Sequence, residues 1–176
     1  MSSATTSAST TNSSTNKWIQ ARRERAFRLL AAREQSQQEL QEKLLKPTAQ
    51  EIANPDLIPG IEVQEQLVQD LMQWLQEQDL QSDARFIASL TNKLLRQGKG
   101  IYAFKQAWSQ HQLAPNLIAA QLAQLEDLWE QQVIRVKEKR FGTQPPVDAR
   151  DAAKMQRFLA QKGFTAAQIY LALAKR

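Results

Sequence analysis

Cysteine is absent from this chain of 176 residues, histidine occurs once, and glycine and proline occur only 5 and 6 times. The lack of cysteine excludes disulfide bridges and thiolate zinc sites, and a single histidine excludes histidine-rich metal centres. The glycines and prolines fall between apolar periodic runs, and Leu (21) and Gln (25) far outnumber Val (5). Because this composition favours helices over strands, we expect an all-α protein.

The N-terminal segment is also poor in the residues that build a core. Residues 2–16 are only Ser, Thr, Ala and Asn. They bury too little apolar surface to offset their ordering entropy, so residues 1–17 are predicted to form a disordered tail. The segment lacks the basic start and apolar stretch of a secretory signal, and no later run approaches a membrane span. We therefore expect a cytoplasmic protein with no membrane partner.

Charge is distributed unevenly along the chain, whose net charge is +5. Residues 17–46, 93–125 and 126–176 each carry +4, whereas residues 47–92 carry −7. This separation predicts a bipolar surface that can meet a polyanion or a protein with its own charge pattern. The alternative interpretation is that these charges only solvate the outer faces of helices.

Apolar spacing and chain breakers predict nine helices. Ser36 and Glu39 have the spacing of a capping box, Ser82, Asp151 and Thr165 are predicted N-caps, and residues 47–61 are predicted to be a loop. The first five predicted helices span about 18–34, 36–46, 62–78, 82–97 and 101–110. The sixth and seventh run nearly continuously over 115–140, and the last two start after Asp151 and Thr165.

An internal repeat organises these helices. A shift of 51 residues aligns residues 108–118 with 159–169, and a shift of 64 places Ser36 on Gly100. We therefore predict three tandem three-helix, helix-turn-helix-like repeats, which stack into an elongated, curved array because a single unit leaves one face uncovered. Their predicted boundaries are 18–80, including the 47–61 loop, then 81–125, and then 126–176.

Three segments resemble the RecX family of regulatory proteins. Residues 26–44 are similar to the family's opening repeat, in which a small-residue helix leads into R-x-x-S-x-x-E-L-x-x-K-L. Residues 79–86 resemble its L-x-D-x-R-F segment, and residues 139–142 and 154–169 resemble its C-terminal repeat. The middle repeat departs from the family pattern, since residues 98–113 lack its G-x-G-P and K-G-I sequences.

The resemblance implies a function. It implies a protein that binds RecA or the RecA–DNA filament and inhibits ATP hydrolysis, strand exchange and coprotease activity, and so modulates recombinational DNA repair and the SOS response. We also expect the protein to be a monomer. Direct contact with single- or double-stranded DNA is a further expectation. The alternative is a basic helical DNA-binding protein that acts independently of RecA.

No catalytic, cofactor or metal site is predicted, so we do not expect an enzyme. His111 has no acidic residue within ten positions, which indicates a solvated residue rather than a base or ligand. Trp74, Trp108 and Trp129 lie on apolar stripes, which favours core packing over base stacking. The candidate contacts to a partner or DNA are basic residues that share helix faces, since phosphate contact needs reachable cations. They are Arg85, Lys93, Arg96, Lys99, Lys105, Arg135, Lys139, Lys154, Arg157 and Lys162.

Overall fold

The computed structural model describes residues 5–55 and 58–174, with side chains from Ser14 onward. Within these ranges the helices account for all of the helix and strand structure, which confirms the all-α prediction. Between Phe86 and Ile87 the chain divides into two compact units, here called unit 1 and unit 2. The helices are α1 (Thr5–Ala32), α2 (Gln37–Leu45), α3 (Ala49–Ala53), α4 (Ile61–Glu77), α5 (Asp83–Arg96), α6 (Ile101–Ser109), α7 (Pro115–Gln124), α8 (Leu128–Phe141), α9 (Ala149–Lys162) and α10 (Ala166–Ala174).

Unit 1 is built around the apolar faces of α1, α2 and α4, which meet in one core. Leu40 and Leu44 lie one turn apart on α2 and are fully buried, as are Val68 and Leu75 on α4. Spacings of four and seven residues place such side chains on a single helix face. Burying each leucine stabilises the fold by about 1.5–3 kcal/mol, so this core contributes much of the stability of unit 1.

The first helix begins earlier than the sequence predicts. Residues 5–17, predicted to belong to a disordered tail, are helical in the structure, while residues 1–4 lie outside the described residues. The buried Trp18 anchors the helix in the core. Nucleation is the costly step in forming a helix, and each further residue then adds one hydrogen bond. A segment of low helix propensity can therefore continue a helix that has already formed.

The predicted 47–61 loop contains the short helix α3. Thr48 and Glu51 form a capping box, in which the Thr48 hydroxyl accepts the Glu51 amide and the Glu51 carboxylate accepts the Thr48 amide at 2.6 Å. Glu51 also accepts a hydrogen bond from Arg22 on α1 at 2.9 Å. Burial alone raises the pKa of Glu51, but the hydrogen bonds from Arg22 and Thr48 hold that pKa below its ordinary value.

Arg22 is buried beneath this contact, with 2% of its side chain exposed. Its guanidinium carbon lies 4.3 Å from the centroid of a Trp18 ring. A cation over an aromatic face is attracted by the ring quadrupole, and the Glu51 carboxylate compensates its charge. α3 is therefore tied to α1 through one buried cation.

Two other predictions at helix ends are wrong. The predicted continuity between the sixth and seventh helices fails because the chain turns at residues 125–127, where the Leu128 amide donates to the Leu125 carbonyl at 3.0 Å. α9 begins after Asp148 rather than Asp151, because the Asp148 carboxylate accepts the Asp151 amide at 2.7 Å. Asp151 is thus a residue of the first turn.

The other predicted N-caps agree with the structure. The Ser82 hydroxyl accepts the Arg85 amide, and the Thr165 hydroxyl accepts the Gln168 amide. The Ser36 hydroxyl accepts the Glu39 amide at 3.1 Å, as predicted. The Glu39 carboxylate accepts hydrogen bonds from Arg33 and Lys43.

Unit 2 has its own core, formed mainly by α8, α9 and α10. Elsewhere in unit 2, Phe104 lies edge-on to Trp108 and to Trp129, with centroids 5.5 and 5.1 Å apart. Trp108 and Trp129 are buried, which confirms their predicted place in the core, while Trp74 of unit 1 is half-buried and packs against the core there.

The end of α9 meets the start of α6 within unit 2. The Gly100 amide donates to the Lys162 carbonyl at 2.8 Å, and the Tyr102 amide donates to the Gly163 carbonyl at 2.9 Å. The first amides and last carbonyls of a helix lack partners inside that helix, so these two ends satisfy each other. The contact fixes the position of Lys162 at the end of α9.

Candidate functional site

A cavity of about 360 Å³ lies in unit 2, between the end of α5, the middle and end of α8, and the second half of α9. Its lining includes no aspartate or glutamate. We call it the cationic cavity, after the five basic residues that line it: Arg96, Arg135, Lys139, Arg140 and Lys162. The electrostatic potential of this site is therefore positive, because no lining carboxylate offsets these charges.

The wall between α5 and α8 is held by close packing and one buried hydrogen bond. Gly98 has a positive φ of 67°, and a Cβ there would lie 2.8 Å from the Val136 side chain. The buried Gln132 side chain donates from Nε2 to the Leu95 carbonyl at 2.8 Å. Glycine at position 98 thus lets the end of α5 pack directly on α8, and the Leu95 carbonyl, which also accepts the Gly98 amide, takes a second hydrogen bond from Gln132.

The α9 side of the cavity is aromatic. Phe158 contacts Phe141 edge-on with ring centroids 5.3 Å apart, and the Lys162 ammonium lies 5.6 Å from the Phe158 centroid. Gly163, in the left-handed conformation, ends α9 directly after Lys162. Packing on Phe158 and the bond from Gly100 to the Lys162 carbonyl therefore hold Lys162 at the cavity edge.

The cations of the cavity are unpaired. Among the residues that the structure describes, none of the five forms an ion pair or a side-chain hydrogen bond. Arg135 and Lys139 are one turn apart on α8, an arrangement of like charges that destabilises a helix by about 0.2–0.5 kcal/mol. An anion bound here would relieve this repulsion.

A second group of charges surrounds the start of α9. Lys154 and Arg157 line an open depression with Arg150, Asp148 and Asp151. The Lys154 ammonium lies 5.8 Å from the Phe141 centroid. Because two carboxylates accompany three cations, this group has a much smaller net positive charge than the cationic cavity.

Arg85 is occupied within unit 1. Its Nε donates to Glu34 at 3.0 Å, and its Nη1 and Nη2 donate to the side chain and the carbonyl of Asp79. The hydrogen bond to Asp79, followed by that to Glu34, raises the pKa of Arg85 above its ordinary value. The Arg85 guanidinium is therefore engaged by Glu34 and Asp79 within unit 1.

The structure thus separates the ten predicted residues into groups. Arg96, Arg135, Lys139 and Lys162 meet in the cationic cavity, and Lys154 and Arg157 lie in the second group. Arg85 is paired within unit 1. The other three predicted residues line neither the cationic cavity nor the depression at α9: Lys93, Lys99 and Lys105. Sequence reasoning missed Arg140 and Arg150, although Arg140 had a signal, since it lies beside Lys139 in the basic last turn of α8.

Within the described ranges, no three His, Cys, Asp or Glu side chains are grouped so as to hold a metal ion. None of the helices described is long and apolar enough to span a membrane. The side chains that line the cavity offer positive charge and hydrogen-bond donors.

Comparison with known proteins connects this fold to one family. The family model for the third three-helix domain of RecX matches residues 126–173. The crystal structure of RecX from Lactobacillus salivarius has a TM-score of 0.66 and 18% identity, covering 89% of this chain and 95% of that one. That similarity shows a shared fold, and the family model describes the segment that it matches as a three-helix domain.

Curated relatives match over most of the chain. The regulatory protein RecX of Halorhodospira halophila is 32% identical over 155 residues, which cover 88% of each protein. The regulatory protein RecX of Acinetobacter baylyi is 36% identical over 139 residues, which cover 79% of this chain and 77% of the relative. The chain therefore belongs to the RecX family of regulatory proteins.

Proposed function

We propose that this protein regulates the RecA recombinase. It binds RecA or the RecA–DNA filament and inhibits ATP hydrolysis, strand exchange and coprotease activity, and thereby modulates recombinational DNA repair and the SOS response. The observation that carries this proposal is the match to regulatory proteins named RecX over 88% of the chain.

The mechanism relies on fit and charge rather than on covalent chemistry. The protein acts as a monomer in the cytoplasm and needs no cofactor. The cationic cavity supplies unpaired guanidinium and ammonium groups that attract the anionic filament, and such attraction raises association rates at low salt. Lys154, Arg157, the exposed Lys93 and Lys105 and the half-buried Lys99 extend the basic residues available to the partner.

The experiment is a steady-state ATPase assay of RecA on single-stranded DNA with increasing amounts of the purified protein. We expect inhibition that saturates near stoichiometric ratios. The double variant Arg135→Gln/Lys139→Gln should inhibit less than a matched variant, Lys17→Gln/Arg28→Gln, which removes the same charge from exposed residues of unit 1. Wild-type protein that leaves RecA turnover unchanged at a tenfold excess would refute the proposal.

A second candidate function is DNA binding independent of RecA. The unpaired cations of the cavity favour it, because phosphate contacts require free basic groups. Salt-sensitive binding to DNA together with no effect on RecA turnover distinguishes this function from the first.

A further inference from the structure

We propose that the cationic cavity is a binding site for adjacent phosphate groups, held by Arg96, Arg135, Lys139, Arg140 and Lys162. The inference goes beyond the regulation of RecA, because it specifies the ligand chemistry of one cavity and does not require RecA to be present. The experiment that tests this inference therefore omits RecA. The phosphate site can then be refuted while the regulation of RecA holds, and the regulation of RecA can be refuted while the phosphate site holds.

The charges of the cavity match phosphate chemistry. Three arginines present planar forks of N–H donors, which bind two oxygens of one phosphate at once, and two lysines add compact charges. With no carboxylate in the lining, these donors are not neutralised in advance. Several cations around one volume suit a ligand that carries several negative charges close together.

The geometry favours a ligand with neighbouring anionic groups. Arg135 and Lys139 are one turn apart on α8, with Cβ atoms separated by about 5–6 Å, whereas Arg96 and Lys162 approach from α5 and α9. Cations from three helices therefore surround the volume. A cavity of about 360 Å³ is within the range of natural ligand sites.

The backbone around the cavity is held by contacts within the protein. Gly98 packs on Val136, Gln132 bonds to the Leu95 carbonyl, and the Gly100 amide holds the Lys162 carbonyl. Because these contacts join the protein's own atoms, binding orders side chains rather than backbone, and its entropic cost is smaller.

A simpler explanation accounts for part of the pattern. Arg96, Lys139, Arg140 and Lys162 each lie in the last turn of a helix, where a cation complements the helix dipole. That explanation does not apply to Arg135, which lies before the last turn of α8, and it does not require three helix ends to meet around one volume.

Phosphate groups of this kind have two sources, the backbone of a nucleic acid strand and a free polyphosphate. The test therefore uses two probes: a short fluorescein-labelled oligothymidylate followed by anisotropy, and inorganic tripolyphosphate followed by calorimetry. The cavity variant is Arg135→Gln/Lys139→Gln, and the control variant is Lys17→Gln/Arg28→Gln, which makes the same change in net charge. Circular dichroism and thermal unfolding check that both variants are folded.

We expect the cavity variant, but not the control variant, to lose about tenfold in affinity for a phosphate probe. If the strand is the source, the slope of log K against log salt also falls in magnitude by about 1.4, since each lost phosphate contact on a single strand removes about 0.7. If tripolyphosphate alone loses affinity, the source is a free polyphosphate.

Two results would overturn the inference. One is that cavity and control variants bind both probes equally. The other is that poly-glutamate, and neither phosphate probe, depends on the cavity residues, which would make the ligand an acidic protein segment. If the double variant does not fold, the alternative variant is Arg135→Lys, which keeps the charge but removes the guanidinium that binds two phosphate oxygens at once. A phosphate affinity equal to that of the wild type would then count against the site.

Discussion

Gly100 and Gly163 lie so close within unit 2 that neither position has room for a side chain. A Cβ on Gly100 would lie 2.5 Å from the carbonyl carbon of Gly163, and a Cβ on Gly163 would lie 2.7 Å from the Ala103 amide nitrogen. Both neighbours are backbone atoms, so rotating a side chain cannot relieve the overlap. The end of α9 can therefore meet the start of α6 only if both residues are glycine.

Replacing Gly100 with alanine should destabilise unit 2 by about 1–3 kcal/mol, the usual cost of forcing extra atoms into a packed contact. Gly60→Ala is the matched control, because Gly60 is also an N-cap without a side-chain hydrogen bond and no atom lies within 4 Å of its added Cβ. Urea unfolding of both variants gives the difference. A Gly100→Ala protein as stable as Gly60→Ala would show that the close contact is not required.

The ion pair between Arg22 and Glu51 should make stability depend on pH. The pKa of Glu51 is lowered in the folded protein, so its contribution is full above the unfolded value of about 4.3 and is lost as the pH falls through the lower folded value. Glu51→Gln should cost about 1–3 kcal/mol at neutral pH, because it leaves a buried guanidinium without its counter-charge.

That cost should shrink as the pH falls below about 4, because the wild-type carboxylate is then protonated as well. The control is Glu65→Gln, which removes an exposed carboxylate from α4. Denaturant unfolding at several pH values measures both. A wild-type advantage over Glu51→Gln that is as large at pH 3 as at pH 7 would contradict the assigned pair.

The start of α9 can be tested with two aspartates. Asp148→Ala should destabilise the protein by about 1 kcal/mol, because the first turn loses the acceptor of the Asp151 amide. Asp151→Ala should cost only about 0.3–1 kcal/mol, since this residue contributes chiefly through the helix dipole. Thermal unfolding compares the two. If Asp151→Ala is clearly the more damaging, the cap lies where the sequence alone predicts it.

Arg85 should prove structural. Arg85→Gln is expected to lower stability by at most about 1 kcal/mol, because its pairs with Glu34 and Asp79 are partly exposed, and the loss should decrease at high salt. Lys93→Gln, an exposed change on the same helix, should have almost no effect on stability. Chemical unfolding at low and high ionic strength separates the two, and an effect of Arg85→Gln no larger than that of Lys93→Gln would argue against the assignment.

The sequence predicted the helices better than it predicted the site. Arg135 and Lys139 were predicted together because their spacing on one helix is visible in the sequence. Their meeting with Arg96 and Lys162 was not visible, since it depends on how α5 and α9 pack against α8. Likewise, the pairing of Arg85 with Glu34 joins residues far apart in the chain, and only the fold reveals it.

Some of what sequence reasoning missed carried a local signal. Thr48 and Glu51 have the spacing of a capping box, which predicts the helix α3 inside the supposed loop. Asp148 lies three residues before Asp151, where it competes as an N-cap two residues after Pro146. The early start of α1 had no such signal, because Ser, Thr and Asn in residues 5–17 have low helix propensity.

The placement of the four tryptophans provides intrinsic fluorescent reporters for the two units. Trp18 and Trp74 lie in unit 1, each under an arginine guanidinium at 4.3 and 4.8 Å, whereas Trp108 and Trp129 lie in unit 2 around one phenylalanine ring. Replacing either pair with phenylalanine leaves tryptophan emission from the other unit alone. Whether the two units melt together or one after the other can thus be read from the protein's own fluorescence, without an attached dye.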